Sequence, residues 1–79
     1  MNPKSIPLSS LKIGSKATIE SLEHELQYKT RFTEMGIIPG SIVRLVKKNP
    51  FNGPVQLKIN NYYIAIRKED ADLIYISNL

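Results

Sequence analysis

The chain has no cysteine, no tryptophan and a single histidine among its 79 residues. Without cysteine there is no disulfide staple, no thiol nucleophile and no thiolate zinc site. With one histidine, His24, and serines scattered at Ser9, Ser10, Ser21 and Ser41, no serine has a base placed in a recognisable catalytic pattern. The four glycines, Gly14, Gly36, Gly40 and Gly53, are spaced too widely for GxxxxGK[ST] or GxGxxG, so no phosphate-cradling loop is present. No apolar run nears the roughly 20 residues that span a bilayer, and Met1-Asn2-Pro3-Lys4-Ser5 precedes no signal-peptide core. These absences predict a cytoplasmic protein that neither inserts into the membrane nor acts as an enzyme, and that holds no cofactor.

His24 lies between Glu23 and Glu25, and imidazole with carboxylate suits Fe(II). Three consecutive side chains cannot converge on one ion, however. In a strand the middle one points the opposite way, and in a helix they fan about 100° apart. No metal site is expected. Glu69, Asp70 and Asp72 form a second acidic group, whose simplest role is favourable charge in the first turn of a short helix.

What is present suits one small folded domain, residues 1–79, with the first five residues expected to be flexible. An apolar fraction of 42% is ordinary for a globular chain. Eleven Lys/Arg against seven Asp/Glu leave a net charge of +4, which favours acidic partners weakly. A patch of Lys58, Tyr63 and Arg67 offers single-stranded nucleic acid one aromatic and two cations, too little for a stacking platform. No nucleic-acid partner is expected.

The punctuation is that of a small all-β protein. Leu8-Ser9-Ser10-Leu11-Lys12-Ile13-Gly14 reads as a turn pinned by Leu8 and Leu11. Lys16–Leu22 alternates with period two and predicts a strand with Ala17 and Ile19 inward. Residues 24–35 predict a helix, because Tyr28, Phe32 and Met35 share one face at i, i+4, i+7. Gly36 supplies a left-handed stop, with Ile37 packing back on Phe32 as in a Schellman end. Pro39-Gly40 has the chemistry of a type II turn, and launches a strand over Ser41–Lys48. Asn49-Pro50-Phe51-Asn52-Gly53-Pro54 is a loop tip, followed by a strand over Val55–Ile59.

Asn60-Asn61 forms a two-residue hairpin turn, since asparagine tolerates φ > 0. That loop length puts Ile59 opposite Tyr62, Leu57 opposite Ile64 and Val55 opposite Ile66 on one core face. Gln56, Lys58, Tyr63, Ala65 and Arg67 fall on the other. Lys68–Asp72 is a short helical turn and Leu73–Ile76 a last strand. Five short strands in a chain of this length predict a mainly β fold, a small bent barrel with one inserted helix, because closure removes most free edges.

Leu8-Ser9-Ser10-Leu11-Lys12-Ile13-Gly14, Arg31-Phe32-Thr33-Glu34-Met35-Gly36-Ile37-Ile38-Pro39-Gly40, Asn49-Pro50-Phe51-Asn52-Gly53-Pro54 and Ile64-Ala65-Ile66-Arg67 followed by Ala71 resemble, in order and spacing, the ferrous iron transport protein A (FeoA-like) family. Phe32 and Met35 stand where family members commonly carry leucine, which keeps the face apolar. The resemblance implies an SH3-like barrel and a cytoplasmic accessory role in bacterial ferrous iron uptake. The implied partner is the membrane Fe(II) transporter GTPase, ferrous iron transport protein B, modulated by protein–protein contact. An alternative from another class is a regulatory domain like the C-terminal SH3-like domain of iron-dependent repressors, acting in transcriptional control. A polyproline reader is less suited, because its groove is lined by aromatics.

The residues expected to touch a partner are Arg31, Phe32, Ile38 and Phe51. Arginine and aromatics are the usual interface anchors, and Phe51 at a loop tip either folds back over the barrel or docks. Arg31 also stands three residues before Glu34, the spacing of a helical ion pair. Arg31, Arg44 and Arg67 are each available as a finger that stimulates GTP hydrolysis in a partner. An unprotected strand beside an apolar patch also allows weak self-association.

Overall fold

A computed structural model describes residues 5–23 and 29–78. His24 and Tyr28, and with them the expected start of the helix, lie outside the described residues. The elements, in chain order, are β1 (Ile6–Pro7), a 3₁₀ turn (Leu8–Ser10), β2 (Lys16–Leu22), α1 (Lys29–Glu34), β3 (Ile42–Lys48), β4 (Val55–Ile59), β5 (Tyr62–Ile66), α2 (Lys68–Ala71) and β6 (Ile74–Asn78).

All five expected strands are present, and a sixth, β1, joins them. It pairs with β6 through Ile6 opposite Ile76 and Pro7 opposite Tyr75. Two residues carry no periodic signal, and proline is compatible with an edge strand because its missing N–H can face away from the ladder. The six strands form one antiparallel sheet in the order β1-β6-β2-β3-β4-β5. Register shifts at Ile19/Ser21 in β2 and Leu45/Lys47 in β3 bend the strands and increase their twist. The sheet curls around its own apolar face, as expected of a barrel of this size.

The core is the inward face of every strand. Ala17 and Ile19, Val43 and Leu45, Val55, Leu57 and Ile59, Ile66, and Ile74 and Ile76 are all buried. Leu8 and Leu11 plug one end, as their place in the turn predicts. The hairpin has the expected register, Val55 to Ile66, Leu57 to Ile64 and Ile59 to Tyr62, and Asn60 takes φ 53°. Tyr62 departs from its expected place. It stands at the rim, 39% exposed, where its hydroxyl reaches the carbonyl of Met35; a phenol at the sheet's end gains a hydrogen bond that the interior does not offer.

The acidic group does more than decorate a helix start. Asp70 is buried and accepts from Arg67 twice, Nε to Oδ2 at 3.0 Å and Nη2 to Oδ1 at 3.1 Å. Asp72 accepts from the Ser9 hydroxyl and from Lys68 Nζ at 3.2 Å. The Ser9 bond lowers the Asp72 pKa; burial opposes it, and the hydrogen bond and charge of Lys68 add to the lowering. The Ser9–Asp72 bond joins the first turn to α2 across 63 residues.

Candidate functional site

The most constrained stretch of backbone is the exit of α1. Gly36 has φ 96°, its N–H reaches the Thr33 carbonyl at 3.0 Å, and the Ile37 N–H reaches the Phe32 carbonyl at 2.9 Å. That is the paired bonding of a Schellman end. Gly40 has φ 94°, and the Ser41 N–H closes the turn onto the Ile38 carbonyl at 3.0 Å, as a type II turn requires. Two further bonds hold the helix end: Ser41 Oγ donates to the Gly36 carbonyl at 2.7 Å, and the Tyr62 hydroxyl donates to that of Met35. The last carbonyls of a helix have no partner within it, so these side chains satisfy groups that otherwise need water. The Tyr62 bond also ties the end of α1 to the β4–β5 hairpin, where a Cβ added at Gly36 would stand 3.4 Å from Asn60 Nδ2.

That locking creates a groove of about 320 Å³, with Arg31, Phe32 and Met35 on one wall and Ala65, Ile66 and Arg67 on the other. A second groove of about 380 Å³ also reaches Ala65 and runs to Asn49, Pro50 and Pro54 at the base of the β3–β4 loop. The two share Ala65 in their linings, and Phe51 follows Pro50 in the chain. Phe51 is 88% exposed; its N–H donates to Asn49 Oδ1 at 3.0 Å, and Asn52 takes φ 61°. An Asx turn closed by a left-handed asparagine holds the ring out, so the alternative in which Phe51 folds back over the barrel does not occur.

The four expected contact residues therefore divide. Arg31 is exposed on the groove wall, and among the described residues its expected ion pair with Glu34 does not form. Phe32 is mostly hidden. It is 5% exposed and packed into the core, so only an edge of its ring is left to line the groove. Ile38 is exposed on the turn that follows α1, outside the groove lining. Phe51 is the projecting aromatic.

The opposite wall was not legible as site. Ala65 and Arg67 fall on the outward face of the hairpin by alternation, but nothing local says that they share a groove with residues of α1. Its cation Arg67 is oriented by Asp70, and the Arg67/Asp70 spacing of i, i+3 is the signal that marks the pair in sequence. The groove offers an apolar floor flanked by two guanidinium groups, which suits binding rather than bond-breaking. Among the described residues, no three His, Cys, Asp or Glu side chains are grouped as metal ligands require. No helix among them is long and apolar enough to cross a membrane.

The FeoA domain pattern matches residues 6–78. An FeoA/FeoB fusion protein of Porphyromonas gingivalis, an Fe(2+) transport protein A joined to an Fe(2+) transporter, is 33% identical over 69 residues. The match spans 87% of this chain but 8% of that fusion protein. The zinc complex of FeoA from Stenotrophomonas maltophilia, a prokaryotic SH3 domain protein, superposes with a TM-score of 0.78 at 25% identity, over 91% of this chain and 89% of that one. A manganese-dependent transcriptional repressor superposes with a TM-score of 0.87 at 20% identity, over 100% of this chain and 44% of the repressor, a likeness of fold. With its order of strands, its Schellman end and its hairpin register in place, this SH3-like chain belongs to the FeoA domain family, which is linked to ferrous iron transport.

Proposed function

We propose that this protein works at the cytosolic face as a non-enzymatic accessory of bacterial ferrous iron uptake, docking on a membrane Fe(II) transporter of the FeoB type and altering its assembly or gating. The observation that carries this reading is the fused relative, in which a domain 33% identical to this one is tethered to an Fe(2+) transporter. A tether raises the local concentration of one module at another, by millimolar amounts for short flexible links, and is useful only when the two modules meet. The groove between α1 and β5, extended to Phe51, is the surface assigned to the contact. Exposed aromatic and arginine side chains at an apolar groove are the usual anchors of such contacts.

Titration of the full chain against the purified transporter in nanodiscs tests the reading. A saturable complex is expected, weakened about tenfold or more by Phe51→Ser or Arg31→Glu, with unfolding temperature unchanged because both side chains are exposed. Absence of a complex with any form of the transporter would overturn it. The repressor-like alternative rests on fold alone. Retention of a DNA duplex that falls steeply with added salt would transfer the reading to transcriptional control.

A further inference from the structure

The outward face of the sheet also carries a row of cations, on β2, β3 and β4. Lys16 stands opposite Arg44, Arg44 opposite Lys58, and Tyr63 continues the row on β5. Their chain neighbours Ala17, Val43 and Ile59 are buried, so alternation turns the row outward. Past the β3 bulge, Lys47 stands opposite Gln56 and adds a fourth cation to this face. Adjacent strands lie about 4.8 Å apart, so three cations fall within about 10 Å.

Like charges directly opposite one another weaken a sheet. Among the described residues no carboxylate pairs with Lys16, Arg44 or Lys58. Lys58 Nζ rests instead 5.7 Å from the centre of the Tyr63 ring. Of the other described acidic residues, Glu34 lies on α1 and Glu69, Asp70 and Asp72 at α2, while Glu20 is on β2, four residues beyond Lys16. The row borders a groove of about 660 Å³ whose lining includes Ser41, Ile42 and Asn60, with Ile42 53% exposed.

We propose that this groove receives an extended acidic segment of a partner protein, with carboxylates on Lys16, Arg44 and Lys58 and an apolar side chain on Ile42. An extended chain places alternate side chains about 6.6–6.8 Å apart, so two or three acidic residues cover the row. A bilayer surface does not enter a groove. Stacked bases need free aromatic faces, and the one ring in the row already carries Lys58. The site shares no lining residue with the α1–β5 groove, and it does not depend on the transporter reading.

The test is amide-resolved NMR titration of the full chain with an acetylated octapeptide alternating glutamate with valine and alanine. Parallel arms use phosphatidylglycerol vesicles and a single-stranded oligonucleotide. Saturable shifts centred on Lys16, Ile42, Arg44 and Lys58 are expected, with binding weakened about tenfold or more between 0.02 and 0.3 M salt. Arg44→Glu is expected to abolish peptide binding while leaving the unfolding temperature at low salt equal or higher, because it breaks the like-charge row; Lys58→Gln should weaken binding without loss of fold. Shifts elsewhere, no shifts, unchanged binding by Arg44→Glu, or tighter binding of vesicles or oligonucleotide at these residues would each overturn the proposal.

Discussion

Replacing Arg67 with methionine removes the cation that faces a buried carboxylate. Asp70 is 4% exposed, and both its oxygens accept from the guanidinium, at 3.0 and 3.1 Å. Orphaning a buried ion typically costs about 3–5 kcal/mol. The Arg67 side chain is 52% exposed, so water enters where it stood and screens the charge. That moves the expectation for Arg67→Met down to about 2–3 kcal/mol. Asp70→Asn leaves a half-solvated guanidinium that hydrates easily and keeps one acceptor in place, so its cost is nearer 1 kcal/mol, about that of one hydrogen bond.

The two substitutions touch one contact and should not add. The double variant is expected to lose about 1 kcal/mol less than the sum. In a domain of this size 1 kcal/mol corresponds to about 4–8 °C in unfolding temperature, so the single variants are well separated. Urea unfolding followed by far-ultraviolet circular dichroism measures this, with tyrosine emission as the second probe because the chain has no tryptophan. If Arg67→Met costs less than Asp70→Asn, or less than about 0.5 kcal/mol, the assignment of a buried, oriented pair is refuted.

Gly36→Ala and Gly14→Ala test backbone strain: both positions have positive φ, 96° and 89°, and a Cβ added at either meets nothing nearer than ordinary van der Waals contact. Each should lose about 1–2 kcal/mol from the left-handed conformation, and the two losses should be similar in urea unfolding. Leu57→Ala opens a cavity in a residue with no exposure and should cost about 2.7–5 kcal/mol by the same measurement. Phe51→Ser should change stability by less than about 0.5 kcal/mol, because the ring touches solvent rather than core. The Asp72 carboxyl has a lowered pKa, chiefly through Ser9, so the folded state binds its proton less readily than the unfolded chain does. The stabilisation is present above the ordinary carboxylate value of about 3.9 and is lost as pH falls through the lower folded value. Ser9→Ala should flatten that acid limb in unfolding temperature measured against pH.

Local chemistry was legible wherever one residue type is nearly obligatory. The glycine at the α1 exit, the Pro-Gly turn and the asparagine hairpin each admit few backbone conformations, and period-two alternation then assigns Val55, Leu57, Ile59 and Ile66 to the interior. Only assembly decided the rest. β1 is too short to carry a pattern and exists because β6 offers it an edge. Tyr62 left the core for a carbonyl that α1 brings within reach. The partner of Arg67 is local, but the groove it walls depends on α1 standing beside the end of β5, and the cation row on β2, β3 and β4 joins residues 16, 44 and 58 through pairings distant in the chain. Backbone preference and side-chain period act over a few residues and are written in order along the sequence; a surface is a sum over strands, and its charge and shape exist only once those strands are side by side.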